Sequence, residues 1–202
     1  MKITLITGAA NGLGKSFAKL YAKDNNNLLL IDIDENSLNE TINELKNEFP
    51  NILIDSLIVD LNKIEELKKV YNYTLEKDYF VNNLVNSAGF GDRCDFIDMD
   101  IDKQIAMTNV DCNALLYFTR VFLDNMIKND EGHIINISSI AGFLPGPYMC
   151  TYHACKGYVL LLGEAISYEI RKTNVKLLTL CPGPFMSKYE EKAHNDYTFS
   201  KI

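Results

Sequence analysis

The chain has 202 residues, of which 47% are hydrophobic and 23% are charged, as in a soluble globular protein that forms one domain over residues 1–202. Its formal net charge of -7 argues against a nucleic acid as partner and provides no polybasic segment for a membrane surface. No apolar stretch is as long as a membrane span, and the run Ile3–Thr7 is too short for a signal peptide. We therefore expect a cytoplasmic protein.

Short apolar runs alternate with longer helix-like stretches along the whole chain. Strands are predicted at 3–7, 27–32, 52–59, 83–86, 133–138 and 175–181. Helices are predicted near 12–24, 35–48, 62–77, 99–128 and 150–172. Strands that are apolar throughout and alternate with helices are typical of a parallel sheet covered on both faces. The predicted fold is a doubly wound α/β domain with about six strands.

Cysteines and histidines give no indication of a metal site. The five cysteines are odd in number and none has C-x-x-C spacing, and the three histidines show no metal-ligand spacing. We expect reduced thiols, as in the cytoplasm, and no metal.

The first predicted strand ends in a glycine-rich turn, Thr7-Gly8-Ala9-Ala10-Asn11-Gly12-Leu13-Gly14. Glycines permit a tight turn and let a pyrophosphate approach the backbone, and the helix that follows directs its free N–H groups at the phosphates. A turn of this kind also occurs as a plain strand-helix connection. Here the turn follows the first strand of a chain in which strands and helices alternate, and this position favours a dinucleotide site.

Asp32 stands 20 residues after Gly12, where the second strand is predicted to end. A carboxylate there can accept hydrogen bonds from both adenosine ribose hydroxyls and would repel a 2′-phosphate. The next residue is Ile33 rather than an arginine, and Asn11 is uncharged. These features predict NAD(H) rather than NADP(H). The alternative is that Asp32 caps a helix, although Asp34 is the better candidate for that cap.

Tyr152 and Lys156 form a Y-x-x-x-K pair on one face of the fifth predicted helix. A nearby cation stabilises a phenolate and so lowers the pKa of a tyrosine, and Lys156 can also donate to the nicotinamide ribose. Ser139 precedes Tyr152 by 13 residues at the end of the fifth strand, where its hydroxyl can polarise a substrate carbonyl. Each feature has a plain alternative: a helical surface pair for the first and a turn or cap serine for Ser139.

Taken together, these motifs resemble the short-chain dehydrogenase/reductase superfamily over roughly residues 1–190. The features that carry the resemblance are the glycine turn, Asn86-Ser87-Ala88-Gly89, Ser139, Tyr152 with Lys156, and Pro182-Gly183. The usual second asparagine of the family is Ser87 here. The chain also continues for only 15 residues after Ser187, so the resemblance implies a shortened member that lacks the usual seventh strand and the segment that covers the substrate.

The resemblance further implies roles for single residues. Asn109 would be the catalytic asparagine, holding a water that connects Lys156 to solvent. Asn86 would steady the central sheet. The remaining residues would border the cofactor: Gly8, Asn11, Gly12, Leu13, Gly14, Asp32, Ile33, Asp60, Leu61, Ala88, Gly89, Pro182, Gly183, Phe185 and Ser187.

The resulting hypothesis is an NAD(H)-dependent oxidoreductase that interconverts a secondary alcohol and a ketone, with Tyr152 as the acid or base. The family also implies a homodimer formed by the fourth and fifth predicted helices. Two alternatives stay open because of the short C-terminal part: a non-catalytic NAD-binding sensor or scaffold, and a truncated, inactive family member.

Overall fold

The structure is a computed structural model and describes residues 1–183. Its six strands are β1 (Lys2–Thr7), β2 (Leu28–Asp32), β3 (Ile54–Ile58), β4 (Phe80–Asn86), β5 (His133–Ile137) and β6 (Lys176–Leu180). They form one sheet in the order β3-β2-β1-β4-β5-β6, and every neighbouring pair is parallel. The predicted doubly wound sheet of about six strands is therefore confirmed.

Helices join the strands and lie close to the predicted positions. They are α1 (Gly12–Lys23), α2 (Glu35–Glu48), α3 (Ile64–Glu76), α4 (Ile101–Thr108), α5 (Leu115–Asn129) and α6 (Cys150–Glu169). Asp34 caps α2, because its carboxylate accepts a hydrogen bond from the Ser37 N–H at 3.1 Å. This cap satisfies one of the backbone donors that the first turn of a helix leaves unpaired.

Two apolar cores cover the two faces of the sheet. Leu28 and Leu30 pack in one core with residues of α1 and α2, whereas Leu29 and Ile31 pack in the other with residues of α3 and α5. Consecutive side chains of a strand point to opposite faces, so a strand buried on both faces must be apolar at every position. This requirement explains the uninterrupted Leu28–Ile31 run.

The fourth predicted helix, 99–128, is not one regular helix. A π-helical segment, Asn109–Ala114, separates α4 from α5. Such segments close hydrogen bonds from i to i+5 and are frequent at functional sites. The apolar pattern marked the helix but contained no sign of this interruption.

Within residues 1–183, no helix combines the length and apolar character needed to cross a bilayer. Two predicted site residues, Phe185 and Ser187, lie outside the described residues. The expectation that a seventh strand is lacking concerns the chain after residue 183, which also lies outside them.

Candidate active site

A cavity of about 630 Å³ lies at the carboxyl ends of the strands, where open α/β sheets bind their ligands. The predicted site residues that line it are Gly8, Asn11, Gly12, Leu13, Asp32, Ile33, Asp60, Leu61, Ala88, Gly89, Tyr152, Lys156 and Pro182. These residues follow strands that are distant in sequence. Parallel pairing brings them to one edge because all the strands end on the same side.

The glycine turn between β1 and α1 has room only for backbone. Gly8 has φ +67°, and a Cβ at this position would stand 2.8 Å from the Ala88 Cα. A Cβ on Gly14 would overlap the carbonyl oxygen of Gly8. Asn11 makes no side-chain cap to α1, so the first N–H groups of that helix are left for a ligand in the cavity. These features fit a pyrophosphate, which binds to such N–H groups.

Asp32 ends β2 at the rim of this cavity and is held by two backbone groups. Its Oδ2 accepts a hydrogen bond from the Ala10 N–H at 2.9 Å, and its Oδ1 accepts one from the Asp34 N–H at 3.0 Å. The carboxylate is therefore fixed between the glycine turn and the start of α2. Ile33 beside it is 64% exposed. Because isoleucine is uncharged, this position supplies no cation to the rim.

Asn86 lies at the end of β4 and braces the sheet below the cavity. Its Nδ2 donates to the Asn136 Oδ1 at 2.8 Å and to the Thr119 Oγ1 at 3.1 Å. Asp60, after β3, accepts a hydrogen bond from the Asn62 N–H at 3.0 Å. Asn86 thus connects β4 to β5 and α5, and the Asp60 contact holds the loop after β3 at the rim.

The two serines after β5 have different contacts. The Ser138 hydroxyl donates to the Lys156 carbonyl at 2.7 Å and so attaches β5 to α6. The Ser139 hydroxyl accepts a hydrogen bond from the Ala141 N–H at 3.1 Å, capping the short 3₁₀ helix Ile140–Phe143. A hydroxyl that accepts a bond keeps its own hydrogen to donate, so this cap is compatible with the predicted role of Ser139.

Tyr152 and Lys156 meet on the face of α6 that borders the cavity. The Lys156 ammonium lies 5.5 Å from the centroid of the Tyr152 ring, and both residues line the cavity. Lys156 also donates to the Ile137 carbonyl at 3.3 Å. The predicted pair is thus assembled, and its ammonium is held against the end of β5.

The closest charged partner of Lys156 is a residue that the sequence motifs did not indicate. Asp111, in the π-helical segment, places its Oδ1 2.7 Å from the Lys156 Nζ. Both side chains are buried, with 0% of the Asp111 side chain and 7% of the Lys156 side chain exposed. The second oxygen, Oδ2, accepts a hydrogen bond from the Phe90 N–H at 3.1 Å. Asp111 therefore connects the loop after β4 to α6.

Burial and ion pairing shift the pKa values of Lys156 and Asp111 in opposite directions. Burial alone would lower the pKa of Lys156, but the Asp111 carboxylate raises it above the ordinary lysine value. Burial raises the pKa of Asp111, and the Lys156 ammonium opposes that rise. Since the Lys156 pKa is higher folded than unfolded, its stabilising contribution is present at neutral pH and is lost as pH rises through the folded pKa.

Asn109, the predicted catalytic asparagine, has other partners. Its Nδ2 donates to the Asn62 Oδ1 at 2.9 Å, and its Oδ1 accepts a hydrogen bond from the Asn113 Nδ2 at 2.8 Å. Both ends of its amide therefore bind other asparagines, and its expected role of holding a water that connects Lys156 to solvent stays a prediction. The residue of this helix that contacts Lys156 is Asp111, two positions later.

The position of Asp111 could have been recognised from helical spacing. Ala114, Leu115 and Phe118 follow it at intervals of three, four and seven residues, and all are buried. An acid on the apolar face of a helix requires a partner, since a buried charge is rarely left unpaired. Other lining residues that were not predicted as site residues include Asp34, Val59, Asn62, Phe90, Gly91, Lys103, Ala106, Val110, Ile137 and Ser138. Among the predicted residues in the described range, those that do not line the cavity are Gly14, Asn86, Asn109, Ser139 and Gly183.

Comparison with known proteins agrees with this arrangement. An uncharacterized oxidoreductase of Staphylococcus saprophyticus is 31% identical over 90% of this chain and 77% of its own length. A 3-oxoacyl-[acyl-carrier-protein] reductase of Thermotoga maritima is 28% identical over 95% of this chain and 79% of its own length.

Solved structures have the same fold. A short-chain dehydrogenase/reductase from Burkholderia phymatum in complex with NAD has a TM-score of 0.87 and 27% identity, over 98% of this chain and 71% of that one. A short-chain dehydrogenase from Sphingobium yanoikuyae in complex with NADPH has a TM-score of 0.91 at 24% identity, over 100% of this chain and 79% of that one, and shows the fold alone. A family model described as short chain dehydrogenase matches residues 2–198. The chain therefore belongs to the short-chain dehydrogenase family of oxidoreductases.

Proposed function

We propose that this oxidoreductase interconverts a secondary alcohol and a ketone with NAD(H) as its cofactor. The observation that carries the proposal is the meeting of Tyr152 and Lys156 at one wall of the cavity, opposite a glycine turn suited to a pyrophosphate. The Thermotoga relative is named as a reductase of a 3-oxoacyl group, which is also a ketone. That likeness supports the class of reaction but does not identify the substrate.

In the proposed mechanism, Tyr152 and Ser139 act at the substrate oxygen, and Lys156 acts on Tyr152 and on the cofactor. Tyr152 removes the alcohol proton during oxidation and returns a proton during reduction. Ser139 donates a hydrogen bond to the same oxygen and stabilises the charge that develops there. Lys156 favours the phenolate of Tyr152 and donates to the ribose next to the nicotinamide. A bound nicotinamide would provide the hydride-transfer chemistry.

The proposed preference for NAD(H) depends on Asp32. Its carboxylate is fixed by the Ala10 and Asp34 N–H groups at the rim of the cavity, so it cannot turn away from an adenosine ribose without losing both bonds. A 2′-phosphate at that place would meet a negative charge. Similar structures are described as complexes with NAD and with NADPH. The fold therefore does not determine the choice between the two cofactors, and we expect the residues of each chain to determine it.

Replacing Tyr152 with phenylalanine tests the mechanism. We expect Tyr152→Phe to lower the turnover number by at least about 10²-fold, the scale of lost acid-base catalysis, while NADH still binds, because only the hydroxyl is removed. Steady-state rates over a panel of sugar, acyl, steroid and simple secondary alcohols, with NADH titration by fluorescence, measure both quantities. Tyr168→Phe is the control, since Tyr168 is 66% exposed near the end of α6.

Full activity of Tyr152→Phe would contradict the assignment of Tyr152. Binding of NADH by the wild-type protein without turnover of any substrate in the panel would instead favour a sensor or scaffold. Absence of both binding and turnover would favour an inactive member of the family.

We also propose a homodimer built from the fourth and fifth predicted helices, which correspond to α4, the π-helical segment, α5 and α6. Exposed apolar side chains support this proposal: Ile105 is 51% exposed, Leu116 39% and Leu161 69%.

A cytoplasmic location is a further proposal, based on the five unpaired cysteines of the described residues.

A further inference from the structure

The proposed mechanism assigns a role to Lys156 but none to Asp111, its buried partner. Lys156 has three N–H donors. One side of its ammonium faces the Asp111 Oδ1 at 2.7 Å and another donates to the Ile137 carbonyl at 3.3 Å. The ion pair and the hydrogen bond together hold the ammonium at the wall of the cavity that Lys156 lines.

The loop after β4 is also adapted to this pair. A Cβ on Gly89 would stand 2.6 Å from the Asp111 Oδ1 and 3.1 Å from the Lys156 Nζ. Any side chain at position 89 would therefore push the carboxylate or the ammonium aside. The Phe90 N–H holds the other carboxylate oxygen at 3.1 Å. Backbone and side chain together fix the position of the carboxylate.

We propose that Asp111 is a positioning residue of the active site, the buried counter-ion that keeps the Lys156 ammonium charged and directed toward Tyr152. The proposal rests on the proposed function, because it assigns Asp111 a task through Lys156. A buried ammonium with no carboxylate beside it would lose its proton more readily, and a neutral amine could neither stabilise a phenolate nor bind a ribose as strongly.

The charged and titratable groups around Lys156 leave Asp111 as its only carboxylate partner among the described residues. Tyr152 and Cys155 face Lys156 from its own helix, and Cys112 lies beside Asp111 on the π-helical segment. The hydrogen bond between the two thiols and burial raise the pKa of Cys112, whereas the same hydrogen bond lowers the pKa of Cys155. A thiol is nevertheless an intrinsically weaker acid than a carboxyl group. Asp111 is therefore the group that holds the ammonium charged in the resting protein.

Titration of Lys156 by NMR tests this role without any turnover. Lysine labelled with ¹³C at Cε reports the charge of each amine, and Lys156→Met identifies the signal of Lys156. We expect the wild-type Lys156 to keep its proton beyond the ordinary lysine pKa of about 10.4. In Asp111→Asn the Lys156 pKa should fall by at least about one unit, because burial is then unopposed.

Asp124→Asn is the matched control, since Asp124 forms an exposed ion pair with Lys128 at 2.7 Å on α5. It should leave the Lys156 signal unchanged. NADH titration adds a second measurement. The affinity for NADH should weaken as the pH rises in both proteins, and this weakening should begin at a lower pH in Asp111→Asn than in the wild type.

An unchanged Lys156 pKa in Asp111→Asn would overturn the proposal. If that variant does not fold, the wild type decides: a Lys156 pKa above the ordinary lysine value supports the proposal, and one below it overturns the proposal. None of these results depends on turnover, so a failure of the proposed function with every substrate would be recognised separately.

Discussion

Asp32 shows how a single residue can both support a loop and select a ligand. Its two oxygens accept hydrogen bonds from the Ala10 and Asp34 N–H groups, so removing the side chain would disturb the loop as well as the charge. Asp32→Asn keeps the size of the side chain and one of the two acceptor oxygens and removes the charge. Because its NH₂ group then faces one of the two backbone donors, the stability of the loop is measured alongside cofactor binding.

We expect Asp32→Asn to lower the affinity for NAD about tenfold, the usual value of a hydrogen bond to a charged group. The affinity for NADP should rise relative to NAD, because the repulsion of a 2′-phosphate is removed. Equilibrium titration with both cofactors measures the ratio, and thermal unfolding checks that the loop is intact. An unchanged ratio in a stable variant would refute the role of Asp32.

The buried pair is the second feature at the scale of residues. Removing one partner of a buried ion pair typically costs about 3–5 kcal/mol, because the other charge is left unpaired. Asp111 and Lys156 are 45 positions apart in the chain, so their contact couples the π-helical segment to α6. Tertiary structure is therefore needed to keep the site charged.

At the scale of elements, the β1–α1 connection depends on backbone proximity. Gly14 lies in the first turn of α1 against the Gly8 carbonyl, and Gly8 lies against Ala88 at the end of β4. The turn is thus pressed between a helix and a neighbouring strand. A side chain at either position would move the N–H groups away from a bound phosphate.

Gly14→Ala should lower cofactor affinity at least tenfold, the loss of about 1.4 kcal/mol, and reduce the free energy of unfolding by about 1–3 kcal/mol through overpacking. Gly157→Ala is the matched control within α6, since its nearest neighbour is the Gly142 carbonyl oxygen at an ordinary 3.4 Å. Cofactor titration and urea unfolding measure the two effects. Equal behaviour of the two variants would show that the close approach of Gly14 has no consequence.

At the scale of the whole molecule, the exposed side of α6 carries large apolar side chains. Tyr158, Leu161 and Tyr168 recur at helical spacing on the exposed side of α6. An apolar stripe of this kind is typical of a helix that packs against another chain. It supports the proposed two-fold dimer.

Leu161→Glu should therefore convert a dimer, twice the 22.9 kDa chain mass, into a monomer, because two carboxylates would be buried at the two-fold interface. Light scattering after size-exclusion chromatography measures the mass. Leu20→Glu is the control, because Leu20 is 59% exposed on α1, away from the proposed interface. A wild-type protein that is monomeric at high concentration would refute the dimer.

Local patterns in the sequence determined most of the fold. The strand and helix positions follow from runs of apolar residues and helical spacing, and the sheet edge that holds the site follows from parallel order alone. The glycine turn, Asp32 and the pair of Tyr152 and Lys156 were identified because each is a short pattern at a strand end or on one helix face. The prediction that residues 1–202 form a single domain stays a prediction, because the structure describes residues 1–183.

Only the tertiary structure showed that a carboxylate contacts Lys156. The family resemblance implied a catalytic role for Asn109, which stays a prediction, but nothing in the motifs indicated that Asp111 contacts the Lys156 ammonium. The π-helical segment changes the direction in which each residue points, and regular helical spacing does not contain that change. A contact between residues far apart in the chain is an outcome of packing, so short patterns cannot specify it.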